Sequence, residues 1–308
     1  MTATVFIDGA AGTTGLEIRD RLAGRTDLTV LALDEAHRKD PAARRDVLND
    51  ADFVILCLPD DAARESVALV ENPRTRIIDA SSAHRVAPGW AYGFPELDPK
   101  QGERIAGADR VANPGCYPTG FLALVRPLVR AGLLPCDALL SVNATSGYSG
   151  GGKAMIAEFE SGKAPAFQPY ALSLQHKHLP EMTVQAGLRN PPIFQPAVAN
   201  IYRGMVVEVP LHRAQLAPGT QPDDARAALV DAYADSSVVR VSPDVGGSLR
   251  IEDDAGTDRM TLHVFANAAS GQLRLVATLD NLGKGAGGAA VQNLNMMAGL
   301  PATAGLIL

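Results

Sequence analysis

The chain has 308 residues, of which 46% are hydrophobic and 20% are charged, and it carries a formal net charge of −6. These values are typical of a globular protein long enough for two domains, and the acidic balance argues against a nucleic-acid-binding surface. Its cysteines, Cys57, Cys116 and Cys136, are too few and too irregularly spaced for a disulfide framework or a zinc cluster. We therefore expect a cytoplasmic protein with no metal centre, no nucleic-acid partner and no membrane association, beginning in a strand rather than a signal peptide.

The first predicted element is a short apolar strand at residues 5–8, followed directly by a glycine-rich turn and a helix. Glycines in such a turn let the backbone approach a pyrophosphate, and the helix N-terminus offers N–H donors. The spacing is G-x-x-G-x-x-G rather than the more familiar G-x-G-x-x-G, so the strand-turn-helix context carries the prediction of a dinucleotide site. The residues expected to contact the cofactor here are Gly9, Gly12, Thr13, Thr14 and Gly15.

Basic residues follow the second predicted strand, residues 29–33, which ends at Asp34. An acid at this point can hydrogen-bond the ribose of NAD, whereas nearby cations suit the 2′-phosphate of NADP. The alternative is that these cations form a solvated helix face. We favour NADP(H), with Arg38 and Lys39 as contacts and Arg44 near them.

Two further strands are predicted at residues 53–58 and 75–78, and the first of them is apolar throughout. This pattern is typical of a parallel strand buried on both faces. Ligands of such sheets bind outside the carboxyl ends of the strands, so we expect functional residues after each strand. The predicted cofactor contacts are Leu58, Pro59 and Ser81, and the predicted substrate contacts are Ser82 and Arg85.

The octapeptide at residues 113–120 places Cys116 after a Pro-Gly turn and before an apolar run that predicts a helix. A thiol at a helix N-terminus meets N–H groups and the positive end of the helix dipole, which both favour the nucleophilic thiolate. The same N–H groups can stabilise an oxyanion formed when that thiolate attacks a carbonyl. The alternative is a buried structural cysteine, although a Pro-Gly turn belongs at a surface or a cleft. We predict that Cys116 is the nucleophile and that Asn113 contacts substrate.

A polar, glycine-rich segment at residues 143–153 follows a predicted strand at residues 138–142. Such a segment can bind phosphate or close over a site, and the alternative is a flexible loop. From its charge and its place before a predicted helix, Lys153 is a candidate substrate contact.

Two histidines, His176 and His178, precede Glu181 and a helix predicted to end near Gly187. A histidine beside a carboxylate can serve as a general acid and base with an orienting partner. Their spacing differs from the i, i+4 spacing of a helical metal pair, which argues against zinc. The alternative is a pair of surface histidines.

The rest of the chain carries strand-like alternation at residues 198–209, 238–241 and 260–279, with a hairpin turn near Ser270 and a helix at residues 223–233. Strands and helices do not alternate as βαβ units in this part of the chain, so it predicts an α+β domain built on a largely antiparallel sheet. The N-terminal part predicts an α/β Rossmann-type domain. We expect residues 1–115 with 285–308 to form the cofactor domain and residues 116–284 to form the catalytic and oligomerisation domain. Near the chain end, a further glycine-rich turn offers the cofactor contacts Asn281, Gly283 and Lys284.

A dinucleotide turn, a helix-capped thiol and a histidine together suggest redox chemistry through an acyl-enzyme. The chain resembles the shorter form of the N-acetyl-γ-glutamyl-phosphate reductases of arginine biosynthesis, through the glycine turn at residues 9–15, the octapeptide at 113–120, and residues 176–181 and 281–288. The resemblance implies NADPH-dependent reduction of an acyl phosphate to an aldehyde with release of inorganic phosphate, in a homodimer or homotetramer. It implies Cys116 as nucleophile and a histidine as acid and base, for which we choose His178 over His176. It also implies that Ser146, Gly147 and the region of Lys153 lie near the substrate.

Three other interpretations remain open from the sequence. An aspartate-semialdehyde dehydrogenase shares the turn, the cysteine and the histidine, but acts on a substrate with a free ammonium group. A dinucleotide-binding sensor would bind NADP without turnover. A cofactor-free cysteine acyltransferase or hydrolase would leave the glycine turn without a purpose.

Overall fold

The chain divides into two compact units in a computed structural model, which describes residues 2–34, 37, 40–243 and 246–308. The first unit comprises Met1–Pro95, Lys100–Pro114 and Ala286–Leu306. The second unit comprises Glu96–Pro99, Gly115–Gly285 and Ile307–Leu308. Within these described ranges no helix is both long and apolar enough to span a bilayer.

The strands, in chain order, are β1 Ala3–Asp8, β2 Leu28–Leu31, β3 Phe53–Leu56, β4 Arg76–Asp79, β5 Ala91–Tyr92, β6 Arg110–Ala112, β7 Ser141–Gly147, β8 Phe167–Pro169, β9 Ile193–Ala199, β10 Met205–Leu211, β11 Val239–Val241, β12 Met260–Asn267 and β13 Gln272–Leu279. The α-helices are α1 Thr13–Leu22, α2 Pro41–Asp50, α3 Asp60–Leu69, α4 Gln101–Gly107, α5 Cys116–Arg130, α6 Gly152–Glu160, α7 Leu179–Ala186, α8 Pro222–Ala232 and α9 Gly288–Met297.

The first unit is built on a parallel sheet in the order β2-β1-β3-β4-β6-β5. Successive residues of β1 face opposite sides of this sheet, as the pleat requires. Val5 and Ile7 join a core with α1 and α9, whereas Phe6 joins a second core with α2 and α3. A parallel sheet covered on both faces is the α/β architecture expected from the apolar strands.

The second unit contains a seven-stranded sheet in the order β11-β12-β13-β10-β7-β9-β8. The prediction of a largely antiparallel sheet is wrong, because this sheet is mixed: β7 pairs with β9 and β11 pairs with β12 in parallel. Between β7 and β9 the chain passes through α6, β8 and α7, and a crossover of this length allows two neighbouring strands to run parallel.

Strand β7 extends beyond the strand predicted at residues 138–142 and includes the first residues of the polar, glycine-rich segment. Its side chains alternate between buried Val142 and Ala144 and half-buried Asn143 and Thr145, so it is one continuous strand up to Gly147. The hairpin predicted near Ser270 is confirmed, since β12 and β13 pair in antiparallel register on either side of it.

Helix α5 is apolar on nearly every side, as expected for a helix surrounded by protein. It packs on β10, β13, α7 and α8. Gly120 brings it close to the sheet, because a Cβ there would lie 2.7 Å from Cγ2 of Val207. The buried body of this helix therefore fixes the place of its first residue, Cys116.

Candidate active site

The glycine turn after β1 leaves no room for side chains. Gly9 has φ +89°, and a Cβ on it would lie 2.3 Å from the carbonyl oxygen of Cys57. A Cβ on Gly15 would lie 2.5 Å from the carbonyl oxygen of Gly9. The N–H of Gly12 closes the turn by donating to that carbonyl over 2.9 Å. A residue with a Cβ at position 9 or 15 would collide with the backbone. The turn therefore requires glycine at both positions, for its own shape and for the close packing of α1.

A cavity of about 930 Å³ lies beside this turn, within the first unit. Gly9, Gly12 and Leu58 line it, together with the basic residues Arg19 and Arg44. Arg44 donates from Nη2 to Oδ2 of Asp8 over 2.8 Å and to the hydroxyl of Ser66 over 2.7 Å. A glycine turn, a helix N-terminus and cations at one cavity fit a dinucleotide phosphate group. Thr13 and Thr14 form the first turn of α1, and Arg38 and Lys39 lie outside the described residues.

The loops after β3 and β4 hold their polar groups in local hydrogen bonds. Pro59 is the N-cap of α3, and the hydroxyl of Ser81 donates to Oδ2 of Asp79 over 2.7 Å. The N–H and hydroxyl of Ser82 both donate to the carboxylate of Asp60. These two carboxylates hold the loops in a defined shape at the carboxyl ends of the strands.

Arg85 and Asn113 connect several loops of the first unit. Arg85 donates from Nε to the carbonyl of Asn113 over 3.0 Å and from Nη2 to the carbonyl of Ala80 over 3.1 Å. The Asn113 side chain donates to the carbonyl of Ala286 and accepts from Asn293. Both side chains are buried. Their hydrogen bonds give Arg85 and Asn113 a structural role that does not depend on a substrate contact.

Cys57 is unsuited to nucleophilic chemistry. Burial, with smaller contributions from the charges of Asp79 and Asp8, raises the pKa of its thiol to about 12. The thiol form is therefore the stable one at neutral pH.

Cys116 is the first residue of α5, and Gly115 is its N-cap. The N–H of Gly115 donates to Oε1 of buried Glu181 over 2.8 Å, and its carbonyl accepts from the hydroxyl of Thr119 over 2.8 Å. The first N–H groups of a helix have no intrahelical acceptors and the dipole is positive there, so this position favours a thiolate. Glu181 and Thr119 therefore fix the backbone N–H and carbonyl of Gly115, the residue before Cys116.

The two histidines differ in environment. The N–H of His178 donates to Nδ1 of His176 over 3.1 Å, so neutral His176 carries its proton on Nε2. Burial first, and then the charge of Lys177, lowers the pKa of His176 to about 4, which makes it neutral at pH 7. His178 is buried and is the N-cap of α7, the helix that carries Glu181. The prediction that this helix ends near Gly187 is confirmed, since Gly187 is the C-cap of α7 and adopts a left-handed conformation.

Two tyrosines complete this group. The ring of Tyr117 lies 6.0 Å from that of His178, and its hydroxyl donates to the carbonyl of Ala197 over 3.1 Å. Burial raises the pKa of Tyr117 well above its usual value and that of Tyr170 to about 12, and the charge of Cys116 contributes to both shifts. Both phenols are therefore neutral hydrogen-bond donors near the thiol.

The predicted substrate residues of the second unit lie at the end of β7 and the start of α6. Ser146 is buried and its hydroxyl donates to the carbonyl of Gly147 over 3.0 Å. A Cβ on Gly147 would lie 2.7 Å from the carbonyl oxygen of Tyr202, so the two backbones touch. Lys153 is exposed in the first turn of α6.

A π-helical turn, Gly283–Gly287, passes directly against Cys116. A Cβ on Gly285 would lie 2.9 Å from Cβ of Cys116 and 2.9 Å from the carbonyl oxygen of Asp280. Lys284 is buried, and its ammonium donates to Oε2 of Glu96 over 2.8 Å. π-Turns of this kind are rare and occur mostly at functional sites.

Two family descriptions match most of the chain. The semialdehyde dehydrogenase NAD binding domain matches residues 4–105, and the semialdehyde dehydrogenase dimerisation domain matches residues 116–281. N-acetyl-γ-glutamyl-phosphate reductases from Chelativorans sp. (strain BNC1) and Rhizobium meliloti are each 54% identical to it, over 96% of this chain and 98% and 99% of theirs. N-acetyl-γ-glutamyl-phosphate reductase 2 from Pseudomonas putida is 50% identical over 97% of both chains.

The chain belongs to the N-acetyl-γ-glutamyl-phosphate reductase family.

Solved structures of aspartate-semialdehyde dehydrogenases share the fold of this reductase-family chain. The enzyme II from Vibrio cholerae, solved with ASA, has a TM-score of 0.74 at 16% identity and covers 97% of this chain and 98% of its own. The enzyme from Francisella tularensis has a TM-score of 0.73 at 14% identity, covering 96% and 100%. At these identities the likeness establishes the fold alone. The two family descriptions indicate an NAD-binding domain and a dimerisation domain, and the reductase relatives establish the family.

Sequence reasoning did not select several residues of this reductase-family site. Tyr170 stands in a stretch without regular pattern, and no local signal connects it with Cys116. Gly285 belongs to a glycine-rich segment, but only the fold reveals that it faces the cysteine.

Gly285→Ala is expected to lower kcat at least about tenfold, because the added methyl group would push Cys116 away from its position or shift the π-turn. The Kd for NADPH is expected to change much less than kcat, because the glycine turn lies in the other unit and only Gly283 and Lys284 of the proposed cofactor contacts share the π-turn. The measurement is steady-state turnover with a fluorescence titration of NADPH. Gly107→Ala is the matched control, because nothing lies within 4 Å of a Cβ there. Wild-type turnover in Gly285→Ala would show that the close approach is not needed.

Proposed function

We propose that the chain reduces N-acetyl-γ-glutamyl phosphate to N-acetylglutamate 5-semialdehyde and inorganic phosphate, with NADPH as reductant, in arginine biosynthesis. The observation that carries the proposal is the thiol at the N-terminus of α5, with Glu181 fixing the preceding peptide and His178 buried at the start of the same helix as Glu181. The names of relatives at 50–54% identity supply the substrate.

The cysteine provides the covalent step. Its thiolate attacks the acyl carbon, the C–O bond to phosphate breaks, and a thioester with Cys116 forms as inorganic phosphate leaves. Bound NADPH supplies a hydride for reduction of that thioester. The C–S bond then breaks, the aldehyde leaves, and Cys116 returns as a thiolate. N–H groups at the start of α5 are suited to hold the oxyanion that forms on the carbonyl oxygen.

We assign proton transfer at that oxygen to His178. Glu181 and His176 are proposed to hold His178 in position. His176 accepts the N–H of His178 and is neutral at pH 7, which suits a supporting role. Ser82, Arg85, Asn113, Ser146, Gly147 and Lys153 remain the proposed substrate contacts.

The cavity beside the glycine turn supports a nicotinamide dinucleotide, and its cations support NADP over NAD. Arg19 and Arg44 line it, whereas the carboxylate of Asp34 is bonded to the N–H and ring of His37. The other proposed contacts are Gly9, Gly12, Thr13, Thr14, Gly15, Arg38, Lys39, Leu58, Pro59, Ser81, Asn281, Gly283 and Lys284.

Arg44→Ala is expected to raise the Kd for NADPH roughly 10- to 100-fold and the Kd for NADH by much less, because only NADPH carries the 2′-phosphate. Arg44→Lys should recover part of the loss. Nucleotide fluorescence titrations measure both constants. Arg45→Ala is the control, since Arg45 pairs with Glu71 at the surface. An equal loss for both nucleotides would assign Arg44 to the structural pair with Asp8 alone.

The test of the whole proposal follows NADPH formation from N-acetylglutamate semialdehyde, NADP and inorganic phosphate, with aspartate semialdehyde in parallel. Phosphate-dependent turnover of the acetylated aldehyde alone is expected. Turnover of aspartate semialdehyde alone would replace the substrate and keep the mechanism. Absence of both reactions in protein that binds NADP would favour a sensor.

The oligomeric state and the domain organisation of the chain are also part of the proposed function. The dimerisation-type domain supports a homo-oligomer, and we propose a homodimer or homotetramer. We further propose a cytoplasmic enzyme in which residues 1–115 with 285–308 bind NADP(H) and residues 116–284 carry catalysis and oligomerisation.

A further inference from the structure

A cavity lies on one face of the sheet in the second unit. The strand register places Arg240 of β11 beside Thr261 of β12, and Thr261 opposite Thr278 of β13, so these side chains share that face. His263 follows two residues after Thr261 and lies on the same face. The cavity has a volume of about 390 Å³ and is lined by these strands and by the turn that carries Asp254.

Two polar groups of this cavity lack a hydrogen-bond partner in the protein. Asp254 is 1% exposed, and its Oδ2 accepts from the hydroxyl of Thr278 over 2.7 Å, but its Oδ1 accepts no hydrogen bond from any described residue. Nη2 of Arg240 lies 4.0 Å from that oxygen, beyond hydrogen-bond distance. The ring of His263, which is 8% exposed, makes no hydrogen bond within the described ranges either. Because buried polar groups are costly without partners, the two groups point to a ligand.

The buried side of the cavity, at Asp254, favours a cation with N–H donors. Asp253 also lines it, and its carboxylate is already paired with the backbone and side chain of Arg250. Burial lowers the pKa of His263 below its usual 6.5, although the two carboxylates oppose that shift, so the ring is neutral at pH 7 and has one acceptor nitrogen. An ammonium has three N–H donors and can donate to Asp254 and His263 together. No three His, Cys, Asp or Glu side chains in the described part of the chain are placed to hold a metal ion, which favours an organic cation.

The exposed side of the cavity offers a partner for an anion. The side chain of Arg240 is 60% exposed, and its Nε donates to the hydroxyl of Thr261 over 3.0 Å, which holds the guanidinium on the edge strand of the sheet. A planar guanidinium binds carboxylates through paired N–H groups. A partner for a cation at Asp254 and a partner for an anion at Arg240 together match a zwitterion. The cavity volume lies within the range of roughly 300–1,000 Å³ that small-molecule sites occupy.

We propose that this cavity binds a free α-amino acid, whose ammonium donates to Asp254 and His263 and whose carboxylate accepts from Arg240. The proposal is independent of the proposed function, because no residue assigned to catalysis, substrate or cofactor lines the cavity. The amino acid is a ligand of the protein at this place and not its substrate.

The first measurement is the melting temperature of the full chain with each protein L-amino acid at roughly 10 mM, since a ligand that binds the folded state raises it. Sodium chloride and ammonium chloride at the same concentration control for the effect of a simple ion. Calorimetric titration then gives the Kd of the amino acid with the largest effect. Its N-acetyl derivative lacks the ammonium and its decarboxylated amine lacks the carboxylate, so each is expected to bind at least roughly tenfold more weakly.

Two variants test whether the ligand occupies this cavity. Asp254→Asn keeps the shape of the side chain and removes its charge, so it is expected to raise the Kd of the amino acid and of the amine at least roughly tenfold. Arg240→Gln is expected to raise the Kd of the amino acid alone, because the amine has no carboxylate. Asp231→Asn, a change at an exposed carboxylate of the same unit, is the control and should bind as wild type does.

Each outcome decides the proposal. If no amino acid raises the melting temperature or binds on titration, or if ammonium chloride alone has the full effect, the proposal is wrong. Binding that both variants retain would lie elsewhere in the protein and would also overturn it. If Asp254→Asn does not fold, Arg240→Gln decides alone by the comparison of the amino acid with its amine. None of these results depends on turnover, so a failure of the proposed function would leave this test intact.

Discussion

Cys116→Ser is expected to lower kcat/KM by roughly 10³- to 10⁶-fold, because a serine hydroxyl is not ionised at neutral pH and cannot replace the thiolate at the start of α5. The Kd for NADPH is expected to remain within about twofold of wild type, since the glycine turn and its cavity belong to the first unit. The measurements are NADPH oxidation with the acyl phosphate and a fluorescence titration of the nucleotide.

Cys136→Ser is the matched control, because Cys136, like Cys116, is a half-buried cysteine of the second unit but lies outside the group around α5 and α7. It should turn over at the wild-type rate. A second measurement isolates the covalent step: intact-protein mass after exposure to acyl phosphate without NADPH. Wild type should gain the acyl group and Cys116→Ser should not. Full turnover in Cys116→Ser would remove the thioester from the mechanism.

The sequence was sufficient for elements that carry strong local signals. Strand β1, the turn at Gly9 and helix α1 follow one another within a few residues. The residue types alone explain why each of these elements forms. The same holds for α5, where a Pro-Gly turn precedes an apolar run. Short-range features of this kind depend on backbone sterics and helix termini, and these are properties of the local sequence.

Elements determined by distant contacts could not be predicted. Asn143 and Thr145 lie beyond the strand predicted at residues 138–142, yet they belong to β7, which pairs with β9 on one side and β10 on the other. The parallel pairing with β9 and the antiparallel pairing with β10 make the sheet mixed. The sequence places Lys284 in a glycine-rich turn as a predicted cofactor contact, and it gives no sign that the fold buries the ammonium against Glu96. Tyr170 reaches the group around Cys116 only through the pairing of β8 with β9. In each case, the deciding partner is remote in sequence.

The two histidines can be separated by paired substitutions with asparagine. His178→Asn is expected to lower kcat by roughly 10²- to 10⁴-fold with little change in KM, because asparagine cannot take up or release a proton at the carbonyl oxygen. His176→Asn should cost less than about tenfold, since the asparagine Oδ1 can accept the N–H of His178 in place of Nδ1. Steady-state kinetics at pH 7, with melting temperatures to confirm folding, give the comparison.

The pH dependence provides an independent check on the role of His176. Its pKa in the folded protein, about 4, lies below the usual 6.5, so the unfolded chain binds more protons between these values. This contribution to stability is present above about pH 6.5 and is lost as the pH falls towards 4. In His176→Asn the melting temperature should therefore fall less steeply as the pH is lowered. In His178→Asn the contribution of His176 to this fall should remain. If His176→Asn instead abolished turnover and His178→Asn did not, the proton-transfer role would belong to His176, and the hydrogen bond between them would serve to orient that residue.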